Sequence, residues 1–180
     1  MRAARRQRTV IRVAVLALML APALTGTARA DEVIDRVLAV VAGDLIMQSD
    51  VRAARELGLA PAVDTADPDR AVLSQLVDRA LILDEVERYA PPEPSPDAIE
   101  RAFRVVRARF TSDDAFSGAL ARVGFDEKQL RAILRQNLRI RAYLDQRFGS
   151  ETPERSEAII AGWVAGLRSR ATIVDLYAPH

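Results

Sequence analysis

The sequence predicts a mainly α-helical domain of about six helices, with a small antiparallel β-sheet that joins an N-terminal hairpin to a C-terminal strand. Three observations support this prediction. Apolar residues recur at helical spacing over most of the chain. Helix starts are marked by cap-then-proline pairs at Asp67-Pro68, Ser95-Pro96 and Thr152-Pro153. After the first thirty residues, β-branched strand candidates occur only towards the two ends.

The first predicted element is a β-hairpin followed by a short helix. Val33–Val41 is rich in β-branched residues, Gly43 lies in a turn signal, and Leu45–Met47 is a second apolar run. We expect Ser49 to cap the next helix, and Gly58 to follow its end.

The second predicted helix starts at Asp67 and Pro68 and has an unusually wide apolar face. That face comprises Val72, Leu73, Leu76, Val77, Ala80, Leu81 and Leu83. Such wide coverage indicates burial against several partners rather than along one seam. A stiff connector, Ala90–Pro94, ends the helix.

Four further helices follow, and a strand closes the chain. Their expected caps are Ser95, Ser112, Asp126 and Thr152, and the longest helix runs roughly from Glu127 to Phe148. Trp163 in the last helix is the surest aromatic core candidate. The strand candidate Ala171–Tyr177 needs a partner for its backbone groups, and the N-terminal hairpin is the only one available.

The first thirty residues are predicted to be a cleaved secretory signal peptide. An arginine-rich start precedes the apolar run Val13–Leu24, and Ala28 and Ala30 form a small-x-small cleavage pattern before Asp31. The expected location is therefore the periplasm, the cell envelope or the exterior. A pair of arginines hints at twin-arginine export, but the surrounding residues favour general secretion.

Removal of residues 1–30 changes the net charge. This segment holds six arginines and no acid, so the formal charge of +1 becomes −5, with 20 basic against 25 acidic residues. Whole-chain charge thus gives no argument for a nucleic-acid partner. The chain has no cysteine, and its one histidine is His180. We therefore expect no catalytic residue, metal site or cofactor.

Charge is unevenly distributed along the remaining chain. Residues 101–147 hold 11 basic side chains against 5 acids, whereas residues 64–100 hold 10 acids against 3 arginines. Arg131, Arg135 and Arg139 follow helical spacing and form a stripe. The stripe is interpreted first as a solvated face paired across to the acidic helix. The alternative is a patch that attracts acidic clients or anionic membrane head groups.

Four segments, in order, resemble the SurA-like periplasmic chaperone family. Asp35–Val51, with its Ala39-Val40-Val41 strand, glycine turn and Ser49-Asp50 pair, is similar to the family's opening hairpin. Leu76–Ile82 resembles its second helix, Phe116–Leu138 its short-helix, glycine, long-helix unit, and Trp163–Ile173 its C-terminal helix and strand. The resemblance implies one chaperone module over residues 31–180, with an N-terminal part at 31–149 and the C-terminal helix and strand at 152–177.

The same resemblance indicates a missing domain. SurA-like proteins carry parvulin prolyl-isomerase domains between the long helix and the C-terminal helix, whereas only Phe148–Pro153 connects the two here. A parvulin site also needs histidines, and the chain has no internal one. Prolyl-isomerase activity is therefore the least favoured function.

The resemblance implies ATP-independent holding of unfolded outer-membrane or secreted polypeptides. The alternative is an envelope adaptor or structural protein that binds one fixed partner. Met47, Phe103, Phe110 and Phe116 are the candidate peptide-binding residues, because Met and Phe adapt to varied side chains. The most useful structural observation is whether a groove lies between the hairpin, the long helix and the helix of Trp163. The chain is expected to be a monomer or a swapped dimer.

Overall fold

The computed structural model describes residues 35–178, which form six helices and one three-stranded sheet. The expected cleavage residues Ala28, Ala30 and Asp31 lie outside the described residues. In chain order the elements are β1 (Val37–Val41), β2 (Asp44–Met47), α1 (Gln48–Glu56), α2 (Pro68–Tyr89), α3 (Pro96–Arg107), α4 (Asp113–Arg122), α5 (Glu127–Phe148), α6 (Pro153–Arg170) and β3 (Ile173–Asp175). The predicted fold class is confirmed.

The sheet joins the two ends of the described chain, as predicted. Its strand order is β2-β1-β3, and both pairings are antiparallel. The hairpin turn has positive φ at Ala42 (51°) and Gly43 (98°), which suits the twist of a tight hairpin. β3 is shorter than the predicted strand, and the Ala42 N–H donates to Thr172 O at 3.1 Å beside it.

Most predicted helix caps are confirmed. The side chains of Asp67, Ser95, Ser112 and Asp126 each accept a hydrogen bond from the backbone N–H three residues later, at 2.7–3.2 Å. Thr152 precedes its helix without a side-chain hydrogen bond.

The predicted cap at Ser49 is wrong. Helix α1 begins two residues earlier than predicted, with Met47 at the cap position, and Ser49 lies inside its first turn. The Met47 N–H donates to Asp50 Oδ2 at 2.8 Å, and the Ser49 N–H donates to Asp35 Oδ1 at 3.0 Å. The hairpin continues directly into the helix. Asp50 in the helix and Asp35 before the hairpin accept hydrogen bonds from the backbone amides at this junction.

Buried hydrophobic side chains form two clusters. The sheet core comprises buried residues of β1, β2, α1, α2, α5 and α6: Leu38, Ala39, Val41, Ile46, Val51, Ala54, Val72, Leu73, Val77, Leu81, Ile82, Val86, Tyr143 and Leu167. The helical core comprises buried residues of α1, α3, α4 and α5, and two at helix ends: Ala53, Leu57, Phe103, Val106, Phe116, Ala119, Leu120, Val123, Leu130 and Leu134. No polar side chain among the described residues is fully buried.

Two helices contribute to both cores. On α1, Val51 packs in the sheet core and Ala53 in the helical core; on α5, Leu134 packs in the helical core and Tyr143 in the sheet core. Because 22-residue α5 spans about 33 Å, it reaches across both clusters. The two cores are therefore joined by continuous helices rather than by a linker.

Trp163 is only half-buried and packs at the edge of the sheet core. Its ring lies 6.0 Å from that of Tyr143 and 5.5 Å from that of Phe148. The Arg147 guanidinium lies 5.7 Å from the Trp163 ring centroid. The prediction that the indole is the surest aromatic in the core is wrong, because the buried aromatic residues among those described are Phe103, Phe116 and Tyr143.

Polar contacts hold the C-terminal segment to α2. The Arg168 Nε donates to Asp78 Oδ1 at 2.5 Å, and the Tyr177 hydroxyl donates to Asp67 Oδ1 at 2.7 Å. The hydrogen bond from the Arg70 N–H, and then the one from Tyr177, hold the pKa of Asp67 below its ordinary value.

Among residues 35–178, no helix has the length and apolar character needed to cross a membrane.

Candidate binding groove

An open groove of about 430 Å³ lies where the two cores meet. It is bounded by β2, α1, α2 and α5, with residues of two loops at its sides. Its lining residues are Asp44, Leu45, Ile46, Asp50, Ala53, Ala54, Leu59, Leu76, Arg79, Ala80, Leu83, Glu87, Phe125, Ile133, Gln136 and Asn137. The hairpin and the long helix thus border a groove, but the helix of Trp163 contributes none of its lining residues.

One wall of the groove is apolar, while polar and charged side chains line the rest of it. Leu76, Ala80 and Leu83 on α2 are half-buried, and they rest on the outside of the sheet core. Leu59 and Phe125 rest on the outside of the helical core. The wide apolar face predicted for α2 is therefore explained: one part fills the sheet core, and the rest lines the groove.

The mouth of the groove includes an edge strand. Among the described residues, β2 has one strand neighbour, so its other edge carries unpaired backbone groups. Leu45 on this strand exposes 57% of its surface, one of the largest exposed fractions among the hydrophobic residues. An exposed apolar edge of this kind suits pairing with an extended chain.

One side of the groove carries a polar network centred on Arg79. The Arg79 Nε donates to Asn137 Oδ1 at 2.8 Å, and its Nη2 donates to Gln136 Oε1 at 2.7 Å. Its Nη1 has no acceptor among the described residues. Burial lowers the pKa of the Arg79 guanidinium, and the nearby charge of Asp50 partly opposes this shift. Arg79 thus brings a fixed cation with an unused N–H donor group to the polar side of the groove, beside the apolar wall.

Asp50 is the acid that faces Arg79 across this part of the groove. Burial raises the pKa of its carboxyl, the hydrogen bond from the Met47 N–H opposes the shift, and the charge of Asp35 adds to it. Asp50 and Arg79 influence each other through space without forming a salt bridge.

The four expected peptide-binding residues do not meet at this groove. Phe103 and Phe116 are 5% and 2% exposed, and their rings pack edge to face at 5.6 Å inside the helical core. Phe110 is half-buried against Phe116. Met47 is half-buried at the start of α1 and belongs to neither core. In this conformation the structure therefore places Phe103 and Phe116 where a client cannot touch them without rearrangement.

The basic stripe is paired with acids. Arg131 donates to Glu100 at 2.6 Å and to Glu127 at 2.9 Å, and Arg135 donates to Glu93 at 2.7 Å. Arg139 is 14% exposed at its side chain and lies 3.5 Å from Glu93. These hydrogen bonds hold the pKa values of Glu93 and Glu100 below their ordinary values. The first interpretation fits these contacts, although the acids come from the connector and from α3 and α5 rather than from α2.

A second concavity, of about 450 Å³, lies beside α1 and is mostly charged. Its lining residues are Arg36, Leu38, Gln48, Val51, Arg52, Arg55, Glu56, Asp69 and Tyr177. Only two of them are aliphatic, and Arg55 pairs with Asp69 across the opening. The groove at the junction of the cores therefore offers the better surface for an apolar ligand.

Sequence reasoning missed Arg79, Gln136, Asn137 and Asp50 as groove residues. One pattern could have identified Arg79. It follows Leu76 by three residues and precedes Leu83 by four, so it lies on the same helix face as these apolar residues. A single charge on an apolar face is a reason to look for a polar partner on a neighbouring element.

No protein-family model matches the chain, and no curated protein matches it either. The resemblance to SurA-like chaperones stays a prediction from the residues.

Proposed function

We propose that the chain is an ATP-independent envelope chaperone module that binds extended, unfolded polypeptides in the groove at the junction of its two cores. The observation that carries the proposal is the open apolar wall of this groove beside the exposed edge of β2. The signal peptide predicted for residues 1–30 places the module in the envelope, where clients are outer-membrane or secreted chains.

The groove suits weak and general binding. Its leucines, Phe125 and Ile133 present aliphatic and aromatic surface, whose contribution depends on the area covered rather than on one geometry. The edge of β2 offers main-chain hydrogen bonds, which are the same for every client sequence. Together these features favour binding by conformation, extended and unfolded, over binding by exact sequence.

Suppression of aggregation tests the proposal directly. The chain from Asp31 onward, which contains every described residue, is mixed with a β-barrel protein diluted from denaturant. We expect light scattering to fall at stoichiometric ratios without ATP. Unchanged scattering at excess module would refute the chaperone function.

A matched pair of variants tests the groove itself. Leu45→Asn changes the exposed leucine at the groove, whereas Val105→Asn changes a valine on α3 that is 60% exposed and remote from the lining. Both side chains are largely solvated, so the fold should tolerate either change. We expect Leu45→Asn to weaken suppression severalfold and Val105→Asn to leave it unchanged. Equal effects would place the binding surface elsewhere.

The ordered network of Arg79, Gln136 and Asn137 gives some support to a second function, an envelope adaptor for one fixed partner. Fixed polar groups discriminate between ligands more sharply than apolar walls do. A pull-down that returns one stoichiometric partner, rather than many unfolded chains, would favour the adaptor.

A further inference from the structure

The charges around the groove are unbalanced. Arg79 and Asp50 supply one positive and one negative charge to the lining, which leaves Asp44 at the start of β2 and Glu87 on α2 without a counter-charge there. Both remaining acids are exposed, and neither forms a salt bridge or a side-chain hydrogen bond with any residue between 35 and 178. The lining thus has three acids against one arginine, a net charge of −2.

The two remaining acids of the groove differ from those near the basic stripe because they are not paired with arginines. The acids near the basic stripe, Glu93 and Glu100, are engaged by arginines. The two free acids of the groove lie on different elements, so they border the apolar surface from more than one direction. A ligand that enters the groove therefore meets unneutralised carboxylates around an apolar wall.

We propose that the groove prefers extended polypeptide segments in which apolar residues are flanked by lysine or arginine, and that it discriminates against segments flanked by aspartate or glutamate. The inference rests on the proposed function. The apolar residues cover Leu76, Leu83 and Phe125, and the flanking cations approach Asp44 and Glu87. The free Nη1 of Arg79 donates to a main-chain carbonyl, a neutral acceptor that every polypeptide has.

The expected preference is moderate, because exposed ion pairs are screened by water and salt. A single exposed pair contributes a factor of about 1.4 to 5 in affinity. Replacing two attractive pairs with two repulsive ones gives a preference on the order of tenfold at low salt. It should shrink as the ionic strength rises.

Two fluorescent peptides with the same apolar centre test this preference. One carries lysines on both sides and the other carries glutamates, and binding is measured by fluorescence anisotropy at low and moderate salt. The chain from Asp31 onward should bind the lysine peptide on the order of tenfold tighter. Equal affinities, or tighter binding of the glutamate peptide, would overturn the inference.

A double variant locates the preference. Asp44→Asn with Glu87→Gln removes the two groove charges, and Asp64→Asn with Glu157→Gln removes two exposed acids that do not line the groove. Both variants change the net charge of the protein by the same amount. We expect the preference to collapse in the first variant and to persist in the second. An equal loss in both would assign the effect to overall charge and overturn the inference.

The same measurements separate the inference from the proposed function. Binding of neither peptide refutes the chaperone groove, and the inference falls with it. Binding of both peptides with equal affinity, weakened by Leu45→Asn, supports the groove and refutes only the charge preference.

Discussion

The sheet core and the helical core differ in how far apart along the sequence their residues lie. The sheet core combines Leu38 near the start of the described chain with Leu167 near its end, and Tyr177 bonds to Asp67 across 110 residues. The helical core draws all its buried residues from between Ala53 and Leu134. One cluster therefore depends on long-range closure, whereas the other is built mostly from neighbouring helices.

This difference explains where a binding groove can form. Long-range closure needs β1, β3 and α6 to fasten the chain ends, and it places the open edge of β2 on the opposite side of the sheet. The helical core needs no sheet and packs against the shared helices α1 and α5. Each core packs mainly among its own residues. Some apolar side chains where the two cores adjoin are therefore not covered by other residues, and these side chains line the groove.

The largest effects should come from removing one large buried side chain from each core. Leu73→Ala in the sheet core and Leu130→Ala in the helical core replace leucines that are 2% and 0% exposed. Each should lower the free energy of unfolding by about 2–5 kcal/mol, because a cavity replaces a filled volume. Urea unfolding followed by circular dichroism measures both.

The shape of the unfolding curves then tests how the cores are coupled. Since α1 and α5 contribute to both clusters, each variant should unfold in one transition, with its midpoint lowered. A biphasic curve for Leu130→Ala alone would show that the helical core unfolds separately. That result would contradict the coupling inferred from the shared helices.

A smaller effect should come from two glycines with positive φ, one beside each core. Gly58 (φ 63°) ends α1, and the Arg109 guanidinium occupies the space that a Cβ would fill. Gly43 (φ 98°) is in the hairpin turn, with open space around it. Gly58→Ala should cost about 1–3 kcal/mol, and Gly43→Ala about 1 kcal/mol from backbone strain alone.

Thermal or urea unfolding of the two glycine variants provides the comparison. The order of the two effects is the critical result, since both substitutions add one methyl group at a left-handed position. Equal losses of stability would mean that Arg109 moves aside at no cost. The hydrogen bonds from the Arg109 guanidinium to the carbonyls of Leu57 and Gly58 would then contribute nothing to the stability of the helical core.

The local elements were predictable because their signals are local. Asp126 as a cap and Gly149 after the helix gave the bounds of α5, and Asp67 with Pro68 gave the start of α2. Ser49 failed as a cap because its hydrogen-bond partner, Asp35, lies 14 residues away along the hairpin. A short-range pattern cannot reveal a cap supplied by another element.

The groove was harder to predict because tertiary packing decides which apolar residues stay uncovered. Phe103 and Leu83 both follow helical spacing, yet Phe103 is buried and Leu83 lines the groove. Neither local sequence indicates which of these two side chains is buried and which lines the groove. The pairing of Arg79 with Asn137 joins residues 58 positions apart, so it follows only from the packing of α2 on α5.

Two arginines on the surface of the two cores should have more modest effects. Arg168 ties α6 to α2 through Asp78 and Ser74 beside the sheet core. Arg131 ties α5 to Glu100 on α3 and lies 3.9 Å from the centroid of the Phe103 ring. Because both pairs are partly solvated, replacing either arginine with methionine should cost about 1 kcal/mol or less.

Salt dependence distinguishes the contributions of these arginines. The loss in Arg168→Met should shrink when urea unfolding is repeated at high salt, because exposed ion pairs are screened. The loss in Arg131→Met should shrink less, because the guanidinium also covers an aromatic ring. The opposite order would mean that contact with Phe103 contributes little to the helical core.

The smallest effects should appear as opposite pH dependences of two acids. Burial raises the pKa of Asp50 beside the groove, whereas the hydrogen bond from Arg131 lowers the pKa of Glu100 beside the helical core. Protons therefore bind Asp50 more tightly in the folded state than in the unfolded state, and Glu100 less tightly. As the pH falls, protonation of Asp50 favours folding, starting above its ordinary pKa of 3.8. Protonation of Glu100 removes stability below its ordinary pKa of 4.5.

Comparison of wild type with Asp50→Asn and with Glu100→Gln isolates each acid, because both variants are neutral at that position at every pH. The stability of wild type relative to Asp50→Asn should rise as the pH falls from 7 towards 3.8. Its stability relative to Glu100→Gln should fall as the pH drops below 4.5. Urea midpoints across this range supply both differences. Parallel trends would mean that the hydrogen bond from the Met47 N–H and the charge of Arg79 outweigh burial, so that folding lowers the pKa of Asp50.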